Sequence, residues 1–251
     1  MPGIFGRRCR ILLRANAVSE PALPNPIPNR KFWLNLRLRI VGGLLFLPLA
    51  LWPIFMGGNW LLAMLAIAGI LMAYEWLRLV DKAPKGRIWL WRALGVVYIT
   101  LPLFSLYQLR MVHDGLDLLL WIFVVIFTTD TMAYVFGNMI GGPKLAPSIS
   151  PGKTISGTIG GVITAALASS LFALWYSTPW SILAEMGLLL GVLGQCSDLC
   201  ESAIKRRFGV KDSGRLIPGH GGILDRTDSL VLTLPLVYLA CLLAGENILF
   251  W

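Results

Sequence analysis

Seven apolar stretches follow one another along this chain, at about 38–57, 60–78, 90–109, 116–137, 155–176, 181–207 and 228–246. A helix of about 20 residues crosses the hydrocarbon core of a bilayer. Lipid offers no water to backbone N–H and C=O groups, so a segment inside it must satisfy its own hydrogen bonds, as a helix does. The expected fold class is therefore all-α: a polytopic integral membrane helical bundle of about seven transmembrane helices, within a range of six to nine. A composition that is 56% hydrophobic and 14% charged agrees with this. The third stretch is the weakest, with Arg92 near its start and Pro102 inside it. Pro48 and Pro53 should kink the first. The sixth should project beyond the bilayer.

The net charge is +9. In a membrane protein this reflects the cytoplasmic bias of Lys and Arg rather than nucleic acid, which is not an expected partner. Alternating the spans from an inside N-terminus places 21 of the 22 Lys and Arg residues on one side, in segments 1–39, 75–92, 138–154 and 201–226. Arg110 alone falls on the other. Inverting the topology or dropping one helix destroys the asymmetry. Residues 1–36 contain no signal-peptide core, since Ile11-Leu12-Leu13 is their longest apolar run. With prolines across 21–28 they read as a basic, poorly ordered cytoplasmic arm near anionic lipid. The remainder, 37–251, is the transmembrane domain. Its loops 138–154 and 201–228 share the cytoplasmic face, where nucleotides are found. Cys9, Cys196, Cys200 and Cys241 have neither zinc nor disulfide spacing. Cys196 and Cys200, one turn apart, read as small packing residues.

Between two apolar runs, residues 202–228 hold six Lys/Arg, three Asp, one His and five Gly. Lysines and arginines suit a polyphosphate, glycines let backbone N–H groups approach phosphate oxygens, and aspartates are hard ligands for Mg²⁺. Just upstream, Asp198, Glu201, Ser202 and Lys205 fall on one helical face. Asp198 lies close to hydrocarbon depth, where a carboxylate requires a partner or a metal. A structural Glu201–Lys205 pair is the plainer alternative. Asp225 and Asp228 stand at the start of the seventh span. Asp225 reads as a metal ligand, and Asp228 as either a ligand or a helix cap.

Ser150, Lys153 and Thr154 precede the fifth span. Gly152-Lys153-Thr154 resembles the end of a P-loop, but the full Gly-x-x-x-x-Gly-Lys-Ser/Thr pattern is absent and no strand is expected before it. A phosphate site at a helix start remains, or simply a capped helix with an anchoring lysine. Asp130 lies within the fourth span, lining a cavity or paired internally. Glu75 reads as structural, and His113, on the outside loop, has no role.

The run Ser202-x-x-Lys205-Arg206-x-x-x-x-Lys211-Asp212-x-Gly214, followed by Pro218-x-His220-Gly221-Gly222-x-x-Asp225-Arg226-x-Asp228, resembles in full the signature of the phosphatidate cytidylyltransferase (CDP-diglyceride synthase) family. Asp130-Thr-x-Ala-Tyr134-x-x-Gly137 and Ser150-Pro-Gly-Lys-Thr154 resemble its other hydrophilic blocks. Ser197 and Ser156 depart from the family's usual Gly and Glu.

The resemblance implies that CTP and phosphatidate give CDP-diacylglycerol and pyrophosphate, in phospholipid biosynthesis, at the cytoplasmic face of the inner membrane. It implies Mg²⁺, with a second cation as an option. Asp198 and Asp225 are the first expected ligands, Glu201 and Asp228 the second. Lys205, Arg206, Lys211 and Arg226 would hold phosphates. Ser150, Lys153, Thr154, Ser202, His220, Gly221 and Gly222 would contact substrate.

A transporter for an anionic solute, using Asp130 and Asp198, would be expected to show internal repeats, which are not evident. A non-catalytic scaffold leaves Asp198 and Asp225 unexplained, and a CDP-alcohol phosphotransferase needs a denser aspartate pattern. Gly137-x-x-x-Gly141, Gly157-x-x-x-Gly161 and Gly187-x-x-x-Gly191 permit close helix contacts, within one chain or in a homodimer.

Overall fold

A computed structural model describes residues 48, 51–81, 87–214, 221–245 and 247–250. Its long helices are α1 (Gly58–Val80), α2 (Ile88–Met111), α3 (Gly115–Met139), α4 (Ile155–Ser170) and α5 (Trp180–Arg207). The four-residue α6 (Leu224–Thr227) and then α7 (Leu230–Ala244) follow. Five helical spans are long and apolar enough to cross a membrane, the fourth being α4 with its 3₁₀ extension, and α7 is a shorter apolar helix. The protein is thus a helical, polytopic membrane protein. Of the first expected span, residues 51–56 are helical and most of the remainder lies outside the described residues, as do the arm at 1–36 and Cys9.

The helix ends differ from expectation in two places. The fifth span stops as an α-helix at Ser170 and closes in a 3₁₀ turn, Leu171–Leu174. The seventh is split, so Asp225 lies on α6 and Asp228 lies between α6 and α7. The C-terminus of α7 is set by Gly245, whose φ of 77° gives the left-handed cap that other residues rarely adopt.

The packing centre is the trio α3, α4 and α5. Its small residues bring backbones together. A Cβ on Gly157 would lie 2.5 Å from the Ala133 carbonyl oxygen, and one on Gly161 2.7 Å from that of Thr129, both on α3. On the other side of α4, a Cβ on Gly187 would meet Ser169 at 2.3 Å. These glycines are therefore used within the chain. The buried Trp121 indole donates to Ser169 Oγ at 2.8 Å, so the one polar atom of that core tryptophan is satisfied. Helix α2 packs against both α1 and α7.

Residues Lys144–Ala146 (β1) and Ser150–Thr154 (β2) form an antiparallel hairpin, with Lys144 opposite Thr154 and Ala146 opposite Ser150. This corrects the expectation that no strand precedes Gly152-Lys153-Thr154, since β1 does. Those residues lie inside β2 rather than in a loop after a strand, which still is not a P-loop arrangement. The Ile155 amide bonds Pro143 O at 3.0 Å, and the Thr154 side chain caps α4 through the Gly157 amide at 3.1 Å.

The bundle has two distinct ends. At one, Arg110 Nε bonds Ile54 O at 2.8 Å and Asn247 bonds His113 O at 2.9 Å. At the other, the end of α1, the hairpin, the end of α5 and residues 209–214 and 221–229 come together: Arg206 Nε donates to Ile149 O at 3.0 Å, and the Ile223 amide donates to Glu75 at 3.0 Å. The two hydrophilic loops thus share one end, as the alternation of spans requires.

Candidate active site

Helix α5 carries the charged end of the bundle. The i, i+3, i+4, i+7 spacing turns Asp198, Glu201, Ser202 and Lys205 along one face. The hairpin brings Lys153 to that face, where its ammonium lies 2.6 Å from Asp198 Oδ2 and 3.0 Å from Gln195 Oε1. Ser202 donates to the other Asp198 oxygen at 3.3 Å. Gln195 in turn donates to Asp130 at 3.3 Å, and Ser229 donates to the second Asp130 oxygen at 3.0 Å. Asp130 is thus paired internally, one of its two expected fates.

One turn nearer the end of α5, Lys205 lies 3.2 Å from Glu201 Oε1 and 2.8 Å from Asp225 Oδ1. Glu201 and Lys205 are buried. The plainer Glu201–Lys205 pair is therefore present, but it is joined to Asp225, 20 residues further on. Tyr98 of α2 donates to Glu201 Oε2 at 3.1 Å. Glu201 Oε1 has the lysine contact but no hydrogen bond among the described residues, an open acceptor in a buried place.

Asp225 accepts from the Ser213 amide at 3.1 Å and the Gly222 amide at 2.8 Å. Burial pushes its carboxyl up, but the Lys205 ammonium and these amides outweigh burial and hold it below the ordinary aspartate value. Asp228 is the opposite case. Burial, then the facing carboxylates of Asp198, Glu201 and Asp130, push it well above that value. It does not cap α7: its Oδ1 accepts from the adjacent Ser229 amide at 2.8 Å, and α7 has no side-chain cap. Ser197 accepts from the Leu232 amide at 3.1 Å and donates to the Asp228 carbonyl, tying α5 to the start of α7.

The structure brings Lys153, Asp198, Ser202, Glu201, Lys205 and Asp225 into two adjoining ion-paired groups, with Asp228 facing both. Arg206 and Lys211 are exposed at the same end, as is Arg226. Ser150 is half-buried at the start of β2, and Thr154 is committed to capping α4. Gly221, with φ 84°, and Gly222 lead into α6 against Asp225. His220 lies outside the described residues. Cys196 and Cys200 are exposed on α5, correcting their reading as small packing residues, while Cys241 is buried.

Sequence reasoning missed Tyr98, Gln195 and Ser229. Gln195 sits three residues before Asp198 on the same helical face, a usable signal, whereas Tyr98 and Glu201 are 103 residues apart and nothing local joins them.

Among the described residues, no three His, Cys, Asp or Glu side chains are grouped to hold a metal ion. The donor chemistry nonetheless suits a hard divalent cation. Asp198, Glu201 and Asp225 pair with the ammonium groups of Lys153 and Lys205, with Asp130 and Asp228 close by.

A model of the cytidylyltransferase family matches residues 85–244. The chain is 37% identical over 179 residues to a phosphatidate cytidylyltransferase of Brucella abortus, a match covering 70% of this chain and 63% of the relative. It is 46% identical over 147 residues to a phosphatidate cytidylyltransferase of Staphylococcus aureus, covering 57% of this chain and 55% of the relative. The chain thus spans a little under two thirds of the first and just over half of the second.

Proposed function

The chain belongs to the cytidylyltransferase family, and from that premise we propose that it is a phosphatidate cytidylyltransferase, making CDP-diacylglycerol and pyrophosphate for phospholipid synthesis. The observation that carries this reading is the placement of two lysine–aspartate pairs, Lys153–Asp198 and Lys205–Asp225, at the end of membrane-spanning helices. A lipid phosphate lies at that depth while its acyl chains stay in hydrocarbon, and a nucleotide reaches the same depth from water. We place this end of the bundle at the cytoplasmic face of the inner membrane.

In the reaction, a phosphate oxygen of phosphatidate attacks the α-phosphorus of CTP. The bond from that phosphorus to the bridging oxygen of the β-phosphate breaks, and pyrophosphate leaves with the electron pair. The nucleophile is already anionic, so no strong general base is needed. The protein's task is to position two anions and to offset charge at the α-phosphate and the leaving group. Lys153 and Lys205 stand ready for this, each now held by an aspartate, with Arg206, Lys211 and Arg226 at the rim. Ser150, Ser202, Thr154, His220, Gly221 and Gly222 complete the proposed substrate contacts. Asp198 and Asp225, with Glu201 and Asp228, would hold Mg²⁺ and an optional second cation. When bound, Mg²⁺ supplies shielding of phosphate charge.

Purified protein given Mg²⁺, radiolabelled CTP and phosphatidate should transfer label to an organic-soluble lipid. Diacylglycerol, lacking the phosphate nucleophile, should give none. Equal labelling from diacylglycerol, or none with any divalent cation, defeats the assignment.

A further inference from the structure

Glu75 is the one buried carboxylate of α1 and lies outside the stretch shared with the cytidylyltransferase family. It is 1% exposed. Its Oε1 accepts from the Ile223 amide at 3.0 Å, and its Oε2 from the Leu224 amide at 3.0 Å and from Ser213 Oγ at 3.2 Å. These partners are 138 to 149 residues away, on both sides of the segment that leads to Asp225. The fit is close. A Cβ on Gly222 would stand 2.4 Å from both Glu75 oxygens, and one on Gly214 2.5 Å from Oε1. Two glycines of the charged loop are thus required where the loop backbone lies against this side chain.

Burying a carboxylate is costly unless its oxygens are bonded, and an apolar residue of similar size would fill the space without that cost. What Glu75 provides and an apolar residue cannot is a fixed set of acceptors for Ser213 and for the backbone that enters α6. The same Ser213 residue gives its hydroxyl to Glu75 and its amide to Asp225. The loop amides next to Glu75, at Gly222, Ile223 and Leu224, are shared between the two carboxylates in order, Gly222 going to Asp225 and the next two to Glu75. Asp225 in turn holds Lys205 at 2.8 Å. The neighbouring Trp76 reinforces the contact. It is buried, donates to Trp91 O at 2.9 Å and stacks on Tyr98 at 4.9 Å, and Tyr98 donates to Glu201. Adjacent residues of α1 therefore reach both acidic partners of Lys205.

We propose that Glu75 is a positioning residue of the active site: its carboxylate fixes Ser213 and residues 222–224, and through Asp225 it sets the place of the Lys205 ammonium. The kinetic part rests on the cytidylyl-transfer reading, whereas the loop-ordering part does not. Glu75 touches no reacting atom, so its loss should act on turnover through misplaced charge rather than on substrate capture.

The test pairs hydrogen exchange with kinetics on the full chain in detergent. In Glu75→Gln, an amide nitrogen would face backbone donors. Peptides covering Ser213, Ile223 and Leu224 should exchange about tenfold faster, with α3, α4 and α5 unchanged. The kcat should fall about tenfold or more. KM for CTP should stay within about threefold of the parent. Glu75→Asp keeps the charge one methylene short and should show a smaller change of the same pattern. Parent-like exchange in both variants overturns the proposal. So does faster exchange across every helix, which marks a general structural role. A parent protein that forms no CDP-lipid sinks the reaction assignment, and loop exchange still decides what Glu75 holds.

Discussion

Two lysines carry the proposed chemistry, but their surroundings differ. Lys153 is half-buried beside Asp198 and Gln195, and Lys205 is buried between Glu201 and Asp225. Methionine at either position keeps the apolar stem and deletes the charge. Lys153→Met frees the partly exposed carboxylate of Asp198, so the protein should melt near the parent temperature while CDP-lipid formation falls roughly 100-fold or more. Lys205→Met strands the buried Glu201 and removes the ammonium from half-buried Asp225, and it should lose activity and also about 3 kcal/mol or more of stability. Thermal unfolding in detergent, run beside the labelled-CTP assay, separates the two. Parent activity in Lys153→Met would leave that lysine as only an anchor at the start of α4.

At the scale of elements, small residues set how closely α3, α4 and α5 approach, and so how the hairpin delivers Lys153 to α5. Gly157→Ala places a methyl 2.5 Å from the Ala133 carbonyl, whereas Gly152→Ala, on β2, meets nothing within 4 Å. The first should destabilise by about 1–3 kcal/mol and the second should be near neutral in a detergent melt. The apolar runs made these helices legible in sequence, to within two residues at both ends of α1, α2, α3 and α5. The hairpin was not legible, because Ser-Pro-Gly-Lys-Thr has the composition of a loop and is held as a strand by its pairing with 144–146. The break before α7 was also hidden, since Asp225 and Asp228 look like an acidic first turn until Asp225 is seen bonded to Lys205, Ser213 and Gly222 and Asp228 to Ser229. The acids and lysines of the site were legible from their spacing and from the family signature. Their pairing was not, because Lys153 with Asp198, Tyr98 with Glu201 and Glu75 with Leu224 are joined only by the packing of separate elements.

For the whole molecule, the two ends of the bundle differ in what they expose. Ser148 is exposed at the charged end and Ser177 at the other. With native cysteines removed, Ser177→Cys in right-side-out vesicles should react with an impermeant thiol reagent, and Ser148→Cys should react only after permeabilisation. The reverse pattern would overturn the cytoplasmic placement. One further property follows from α5. Its 28 residues make a rod of about 42 Å. The hydrocarbon slab is about 30 Å thick. Asp198, Glu201 and Lys205 ride on the last turns of that rod, so their height above the acyl region is fixed by how the rod seats in its slab. A thicker membrane draws them toward oil and a thinner one lifts them into water, at a cost of a fraction of a kcal/mol per Å of mismatch. The height of the charged site is thereby tied to the thickness of the very bilayer whose lipids the protein is proposed to help make.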